Sequence, residues 1–289
     1  MVITKKPDWI RVKGVDWEVL EKMKSLTNKY HLHTVCESAT CPNMGECFCA
    51  GTATFMILGD ICTRNCAFCS VTSGKPLPPD PKEPENVALA ARELGLKHVV
   101  VTCVTRDDLP DGGAEQFALT LEAIQRILPG ATTDVLVSDL RVQMDNVAAV
   151  IEKKPDIFAH NLETVPRLYK TCRAQANYRN SLKVLELAKK ISPSQYTKSG
   201  LMVGLGESRD EVVSVMKDLR SVDCDFLTIG QYLRPAPENL EVVEFVTPEM
   251  FAEYKKIGEE MGFAYVASSP FVRSSFHSEE ALKHIRNAE

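Results

Sequence analysis

The chain has 289 residues, 44% of them hydrophobic and 25% charged, which is enough for one large buried core or two smaller ones. A net charge of −5 leaves no basic footprint for nucleic acid or an anionic lipid surface. No run approaches the roughly 18 uninterrupted apolar residues of a membrane span, and MVITKKPDWIRVKG lacks the apolar stretch of a secretory signal, so a cytoplasmic protein with no membrane partner is expected. Ten cysteines in that setting favour metal binding over disulfides, because a reducing compartment keeps thiols free.

In sequence order, residues 1–52 hold one cysteine cluster, CESATCPNMGEC, with Cys36, Cys41 and Cys47. From residue 53 onward, short apolar runs alternate with amphipathic stretches. ATFMILG (53–59) predicts the first strand, and CTRNCAFC (62–69) follows on the loop that leaves its C-terminal end. KPLPPDPKEP (75–84) reads as an extended loop. HVVVTCV (98–104) predicts a second strand, and AEQFALTLEAIQRIL a helix that buries Phe117, Leu121, Ile124 and Leu128. TDVLVSDL (133–140), DIFAHNLE (156–163), SGLMVGLG (199–206) and DFLTIGQYL (225–233) continue the series. These runs are nearly continuous and rich in β-branched residues, as parallel strands covered on both faces are.

SRDEVVSVMKDLR carries a capping box at Ser208 and Glu211 and offers Val212, Val215, Met216 and Leu219 to the core. TPEMFAEYKKIGEEMG has Thr247 as N-cap, Pro248 at the first helical position and Gly262 as the stop. Six strand–helix units in a row predict an α/β protein folded as a partial (β/α)6 TIM-like barrel over 53–262. Extensions are expected on either side, at 1–52 and 263–289.

The chemistry resides in the cysteines. Cys62, Cys66 and Cys69 lie at the strand end where such barrels place their active sites. A 4Fe–4S cubane takes one ligand per iron, so three thiolates leave the fourth iron open to an outside ligand. Structural zinc takes four protein ligands, commonly in CxxC pairs. Here only Cys66 and Cys69 form such a pair, and no histidine lies nearby. A catalytic zinc with an open position matches the ligand count, but a CxxxCxxC loop is a poor match to its usual ligands.

CTRNCAFC resembles the CxxxCxΦC signature of the radical S-adenosylmethionine enzymes, with Phe68 at the aromatic position. The earlier cluster, CxxxxCxxxxxC, resembles the auxiliary-cluster motif of the lipoyl synthase family within that superfamily. GTATFMILGDICTRNCAFCSV, GKPLPPDP, RDDLPDGGA, HNLETVPRLY, TKSGLMVGLGE, LTIGQYL and VRSSF resemble that family's segments in the same order, from about residue 30 to 278.

The resemblance implies a radical sulfurtransferase with two 4Fe–4S clusters and S-adenosyl-L-methionine. Cys62, Cys66 and Cys69 would hold the radical cluster, whose open iron takes the amino and carboxylate groups of S-adenosylmethionine. Reductive cleavage would then yield a 5′-deoxyadenosyl radical. Sulfur would enter the sixth and eighth carbons of an octanoyl group borne by a lysine, drawn from an auxiliary cluster bound by Cys36, Cys41 and Cys47. A serine of the family's RSSY motif completes that cluster, which points to Ser274, with Ser275 as the adjacent alternative.

Phe68, Gly112, Gly113, Asn161, Glu163, Gly204 and Gly206 are the expected S-adenosylmethionine contacts. Arg173 and Arg179 read as residues of a solvated helix face, with the methionine carboxylate or the carrier protein as the alternative partners, and His160 ends a strand as a further candidate contact. Implied partners are octanoylated carrier proteins (the glycine cleavage H protein and the lipoyl domains of 2-oxoacid dehydrogenases). Ferredoxin or flavodoxin would supply electrons, and an iron–sulfur carrier would renew the cluster.

The sequence departs from the family pattern at Phe276, where RSSY becomes RSSF, and in RPAPENLEVVEF, which lacks a histidine. A related radical sulfur-insertion enzyme, a paralogue with altered carrier preference and a non-catalytic iron–sulfur electron carrier are the alternatives. Cys103 and Cys224 read as small core residues. His31 and His33 read as polar loop residues, and Cys49 is left without a role.

Overall fold

The computed structural model describes residues 6–10, 17–35, 43, 53–275 and 278–286. All six apolar runs form strands: β2 (Thr54–Ile57), β3 (His98–Cys103), β4 (Thr132–Leu136), β5 (Ile157–Ala159), β6 (Tyr196–Val203) and β7 (Phe226–Gln231). Every residue of β2, β5 and β7 is buried, as continuous apolar runs require. Two strands were not legible in the sequence, β1 (His33–Thr34) and β8 (Tyr265–Ser268). His33 therefore opens a short strand and does not sit in a loop.

The protein packs as two compact units, one of residues 12–64 with 71–158 and the other of residues 1–11, 65–70 and 159–289. In the first, β1 lies antiparallel to β2, with His33 opposite Met56 and Thr34 opposite Phe55. Strands β2, β3 and β4 then follow in parallel, with Thr54 opposite Val100 and Val101 opposite Val135. Helix α1 (Trp17–Tyr30) is fastened to α2 (Glu83–Glu93), because both the Lys29 ammonium and the Tyr30 hydroxyl bond the Glu93 carboxylate. Helix α2 packs on α3 (Ala114–Ile127), and α3 on α4 (Met144–Ile151).

Helix α2 begins inside the proline-rich stretch read as a loop to residue 84. Pro84 sits in its first turn, where the missing N–H costs nothing. In α3, Phe117, Leu121 and Ile124 are fully buried, as the helical spacing predicts, while Leu128 is the C-cap.

In the second unit the segment leaving β5 runs beside β6. The His160 N–H donates to the Lys198 carbonyl, and Glu163 exchanges bonds with Gly200 and Met202. Strands β6, β7 and β8 are parallel, with Gly200 opposite Thr228 and Leu227 opposite Val266. Around them lie α5 (Tyr169–Cys172), α6 (Tyr178–Ile191), α7 (Arg209–Arg220), α8 (Pro248–Glu260) and α9 (Ser278–Arg286).

The Ser208–Glu211 capping box is formed in full, and Val212, Val215, Met216 and Leu219 enter the core beneath it. The Thr247 side chain accepts from the Met250 N–H with Pro248 at the helix start, and Gly262 ends α8 with φ +84°. Phe263 and Val266 join the same apolar cluster as Val215, Leu227 and Phe251, so β8 is part of this unit's core. The α/β class and the parallel strand–helix succession of a partial TIM-like barrel expected from the sequence are borne out.

Left-handed backbone follows several of the strands. Leu58 after β2 has φ +70°, Leu140, Arg141 and Val142 after β4 have φ +44°, +56° and +54°, and Glu163 after β5 has φ +68°. Non-glycine residues held there store strain on the order of 1–3 kcal/mol each and persist only where the surroundings fix them, which is typical of binding regions.

Candidate active site

Cys62 sits four residues beyond Leu58, and the structure fixes its approach. The Glu83 carboxylate accepts the N–H groups of Leu58 (2.9 Å) and Gly59 (3.4 Å) and a bond from the Gln116 amide (2.8 Å). Burial raises the Glu83 pKa, and those donors pull it back. At Cys62 itself, the Sγ atom accepts the N–H groups of Arg64 (3.4 Å) and Thr105 (3.3 Å), and the backbone is tied to Thr72 and Gly74. Two backbone N–H donors are thus aimed at one sulfur.

Arg64 anchors this end of the loop. Its side chain is only 8% exposed, donates twice to Asp107 (2.8 and 2.7 Å) and pairs with Asp139 at 2.7 Å. The guanidinium holds the Asp107 carboxyl below its ordinary pKa. Replacing Arg64 with Ala would remove the guanidinium that pairs with both carboxylates, of which Asp107 is 38% exposed and screened by solvent. We expect a loss of about 1–2 kcal/mol, read as a lower urea midpoint at unchanged slope. Because the folded pKa of Asp107 is depressed, its share of that stability is present above the ordinary aspartate value and fades as pH falls below it.

Gly112 and Gly113 lie in the same unit, with φ +63° and +95°. A Cβ on Gly112 would come within 3.1 Å of the Leu140 backbone, and one on Gly113 would collide with the Leu58 side chain. Asp111 accepts the N–H groups of Gly113 (3.0 Å) and Glu115 (2.8 Å), which opens α3 directly after the glycines.

Residues 65–70 belong to the other unit, where bonds from distant segments hold them. The Asn65 N–H donates to Gln175 Oε1 (2.8 Å), and the Ala67 N–H to the Cys172 carbonyl (2.8 Å). The Asn239 amide donates to the carbonyls of Ala67 (3.2 Å) and Cys69 (2.9 Å), and Leu240 N–H to that of Ala67 (3.0 Å). Cys69 N–H closes a turn onto the Cys66 carbonyl at 3.0 Å. Phe68 packs against Cys172, Leu205 and Tyr232, so the aromatic position of the signature seats the loop on an apolar patch.

Asn161, Glu163 and Ser274 come together in this unit. The Ser274 hydroxyl donates to Asn161 Oδ1 (3.0 Å), and Asn161 Nδ2 donates to Glu163 Oε1 (3.1 Å). Burial raises the Glu163 pKa, partly offset by Arg173. Arg173 lies over the Tyr169 ring and donates to the carbonyls of Asn161 (3.0 Å) and Leu162 (3.3 Å). It is an internal brace and does not lie on a solvated helix face, whereas Arg179 is exposed. His160 is 2% exposed and its ring meets Ser181 Oγ on α6 at 3.0 Å. It belongs to the packing of strand against helix, since successive side chains of a strand face opposite ways.

Gly204 and Gly206 have φ +100° and +102°, and a Cβ on Gly204 would collide with the Gln231 amide and the Glu244 carbonyl. Beside them Glu207, which sequence reasoning missed, folds back to accept the N–H groups of Gly204 and Leu205. Its place in the GLGE run was the only available signal. Glu83, Arg64 and Asn239 gave none, because their partners lie far away in the sequence.

Cys36, Cys41, Cys47 and Cys49 lie outside the described residues. Among the described residues, no three His, Cys, Asp or Glu side chains converge on a point as ligands of one metal ion would. A cubane does not require that, since each thiolate takes a different iron. The remaining thiols are poor ligands: burial pushes Cys172 up to about 11 and Cys103 and Cys224 up to about 12. Cys62, Cys66 and Cys69 are partly exposed thiols outside any disulfide, which fits a cluster reached from outside by its fourth ligand. No helix among the described residues is long and apolar enough to cross a membrane.

Comparisons with known proteins show the family. Residues 56–219 match the model of the radical SAM superfamily. The chain is 54% identical over 282 residues to a lipoyl synthase of Caldanaerobacter subterraneus, covering 98% of this chain and 99% of that one. It is 51% identical to a lipoyl synthase of Pseudomonas fluorescens, covering 98% of this chain and 84% of that one. Among solved structures, methylornithine synthase superposes with a TM-score of 0.57 at 12% identity, over 81% of this chain and 80% of that one. Streptococcus suis SuiB bound to S-adenosylmethionine gives 0.55 at 11% identity, over 84% of this chain and 52% of that one. The structural likenesses show the fold, and the near full-length identities show that the protein belongs to the lipoyl synthase family of radical S-adenosylmethionine enzymes.

Proposed function

We infer that the protein is the lipoyl synthase of its cell, inserting two sulfur atoms into a protein-bound octanoyl-lysine. The observation that carries this reading is the CTRNCAFC stretch, with Cys62, Cys66 and Cys69 and no fourth cysteine beside them, in a chain 54% identical over 282 residues to a lipoyl synthase. C–H bonds in the middle of an alkyl tail are neither acidic nor polarised, so no side-chain base activates them. When bound, the clusters and S-adenosylmethionine supply hydrogen abstraction and sulfur, which is cofactor chemistry.

The protein's own residues bind and orient. Cys62, Cys66 and Cys69 hold the radical cluster, and Phe68 keeps their loop seated. The left-handed turns at Gly112, Gly113, Gly204 and Gly206 let backbone approach S-adenosylmethionine closely, and Asn161 and Glu163 offer it polar atoms. Cys36, Cys41 and Cys47, with Ser274, hold the auxiliary cluster. The acyl group arrives on the glycine cleavage H protein or on a lipoyl domain of a 2-oxoacid dehydrogenase. Ferredoxin or flavodoxin delivers electrons, an iron–sulfur carrier rebuilds the auxiliary cluster, and the work is done in the cytoplasm.

The test is a count of iron and acid-labile sulfide in anaerobically reconstituted protein. Two cubanes give about eight of each per protein molecule, and Cys36→Ala lowers both to about four. A wild-type count of about four would remove the auxiliary cluster and with it the sulfur source.

A further inference from the structure

Two notches in the interior face of the second unit's sheet carry an inference about how the C-terminal serine is held. Gly230 on β7 leaves room that the Val272 carbonyl occupies, since a Cβ there would collide with it. The segment after β8 is fastened across the strand end, with Gln231 N–H donating to the Pro270 carbonyl (3.2 Å) and Arg273 Nη1 to that of Val272 (2.7 Å). Gly200 on β6 leaves the second notch, where a Cβ would stand 2.8 Å from both Asn161 Oδ1 and Thr228 Oγ1. The Asn161 amide fills that space and meets the Ser274 hydroxyl.

We propose that Asn161 is the positioning residue of Ser274, fixing the end of the 270–274 segment from the Gly200 notch. This rests on the reading of Ser274 as a ligand of the auxiliary cluster. The amide suits the task through its pattern of donors and acceptors. Nδ2 is committed to Glu163, which turns Oδ1 toward the serine as an acceptor. A hydroxyl has one proton and two lone pairs. Giving the proton to Asn161 fixes the unligated hydroxyl in place and leaves its lone pairs uncommitted to any protein donor. The backbone of Asn161 is braced as well, because Arg173 donates to its carbonyl (3.0 Å). The arrangement ties the C-terminal serine to the same strand end that presents Glu163.

The test is hydrogen–deuterium exchange of the full-length protein, followed in peptides that cover residues 270–275. Asn161→Ala and Ser274→Ala are each expected to speed exchange there about fivefold, the factor for losing one ordinary hydrogen bond. The double variant should add nothing to either single change, and Ser274→Thr, which keeps the donor, should remain near wild type. Gly200→Ala, which pushes the amide out of its notch, should resemble Asn161→Ala. Unchanged exchange in Asn161→Ala, or an additive effect in the double variant, would overturn the proposal. The ligand reading fails separately: a Ser274→Ala protein that forms lipoyl product normally removes it and leaves the exchange result standing.

Discussion

Alanine at Cys62, Cys66 or Cys69 is expected to abolish formation of 5′-deoxyadenosine from S-adenosylmethionine. On the proposed reading each thiolate would be the sole protein ligand of one iron, so no neighbour would take over its task. The structure supplies the matching controls. Cys224 is fully buried, with its thiol pushed up to about 12, and Cys172 lies under Phe68 with its thiol pushed up to about 11. Neither is a thiolate at neutral pH, so Cys224→Ala and Cys172→Ala should retain the cleavage activity and lose only packing, roughly 1 kcal/mol each. Liquid chromatography of the nucleoside product checks the whole set. Undiminished cleavage in the three loop variants would sink the family's chemistry for this protein.

Changes at the auxiliary ligands should separate radical generation from sulfur insertion. With alanine at Cys36, Cys41 or Cys47 the three cysteines of the radical loop remain, so S-adenosylmethionine should still be cleaved while no sulfur-containing product forms. Ser274→Ala should behave in the same way, with lipoyl formation lost or severely slowed. An oxygen ligand would be harder than thiolate and poorly matched to a sulfur-rich site, so a serine there would hold its iron less firmly than a cysteine. Ser274→Cys should then bind the auxiliary cluster but release that iron poorly. Normal product from Ser275→Ala together with loss in Ser274→Ala supports this assignment, and the reverse pattern transfers the role to Ser275. Full activity in both serine variants would remove the serine ligand altogether.

The strands and several helices were legible because their signals are local. Val99, Val100 and Val101, or Leu227 and Ile229, form dense apolar runs that only a doubly covered strand uses. Ser208, Glu211 and Thr247 announce helix starts with bonds that span three residues. What escaped depends on distance along the sequence. Strand β8 is four residues long and makes sense only once β7 lies beside it. Helix α2 was hidden by prolines that turn out to be compatible with a first helical turn. The cysteines and glycines of the candidate site stood out by spacing, but their braces did not. Asn239 reaches Cys69 across 170 residues, Arg64 reaches Asp107 across 43, and Ser274 meets Asn161 across 113. No periodicity or propensity records such pairs.

One measurement bears most directly on the central claim. The reconstituted protein is incubated anaerobically with S-adenosylmethionine, a low-potential reductant and a peptide that bears octanoyl-lysine, and the peptide is weighed by mass spectrometry. The account predicts a peptide that has gained two sulfur atoms, with 5′-deoxyadenosine formed alongside it. S-adenosylmethionine cleavage accompanied by an octanoyl peptide that gains no sulfur would contradict it.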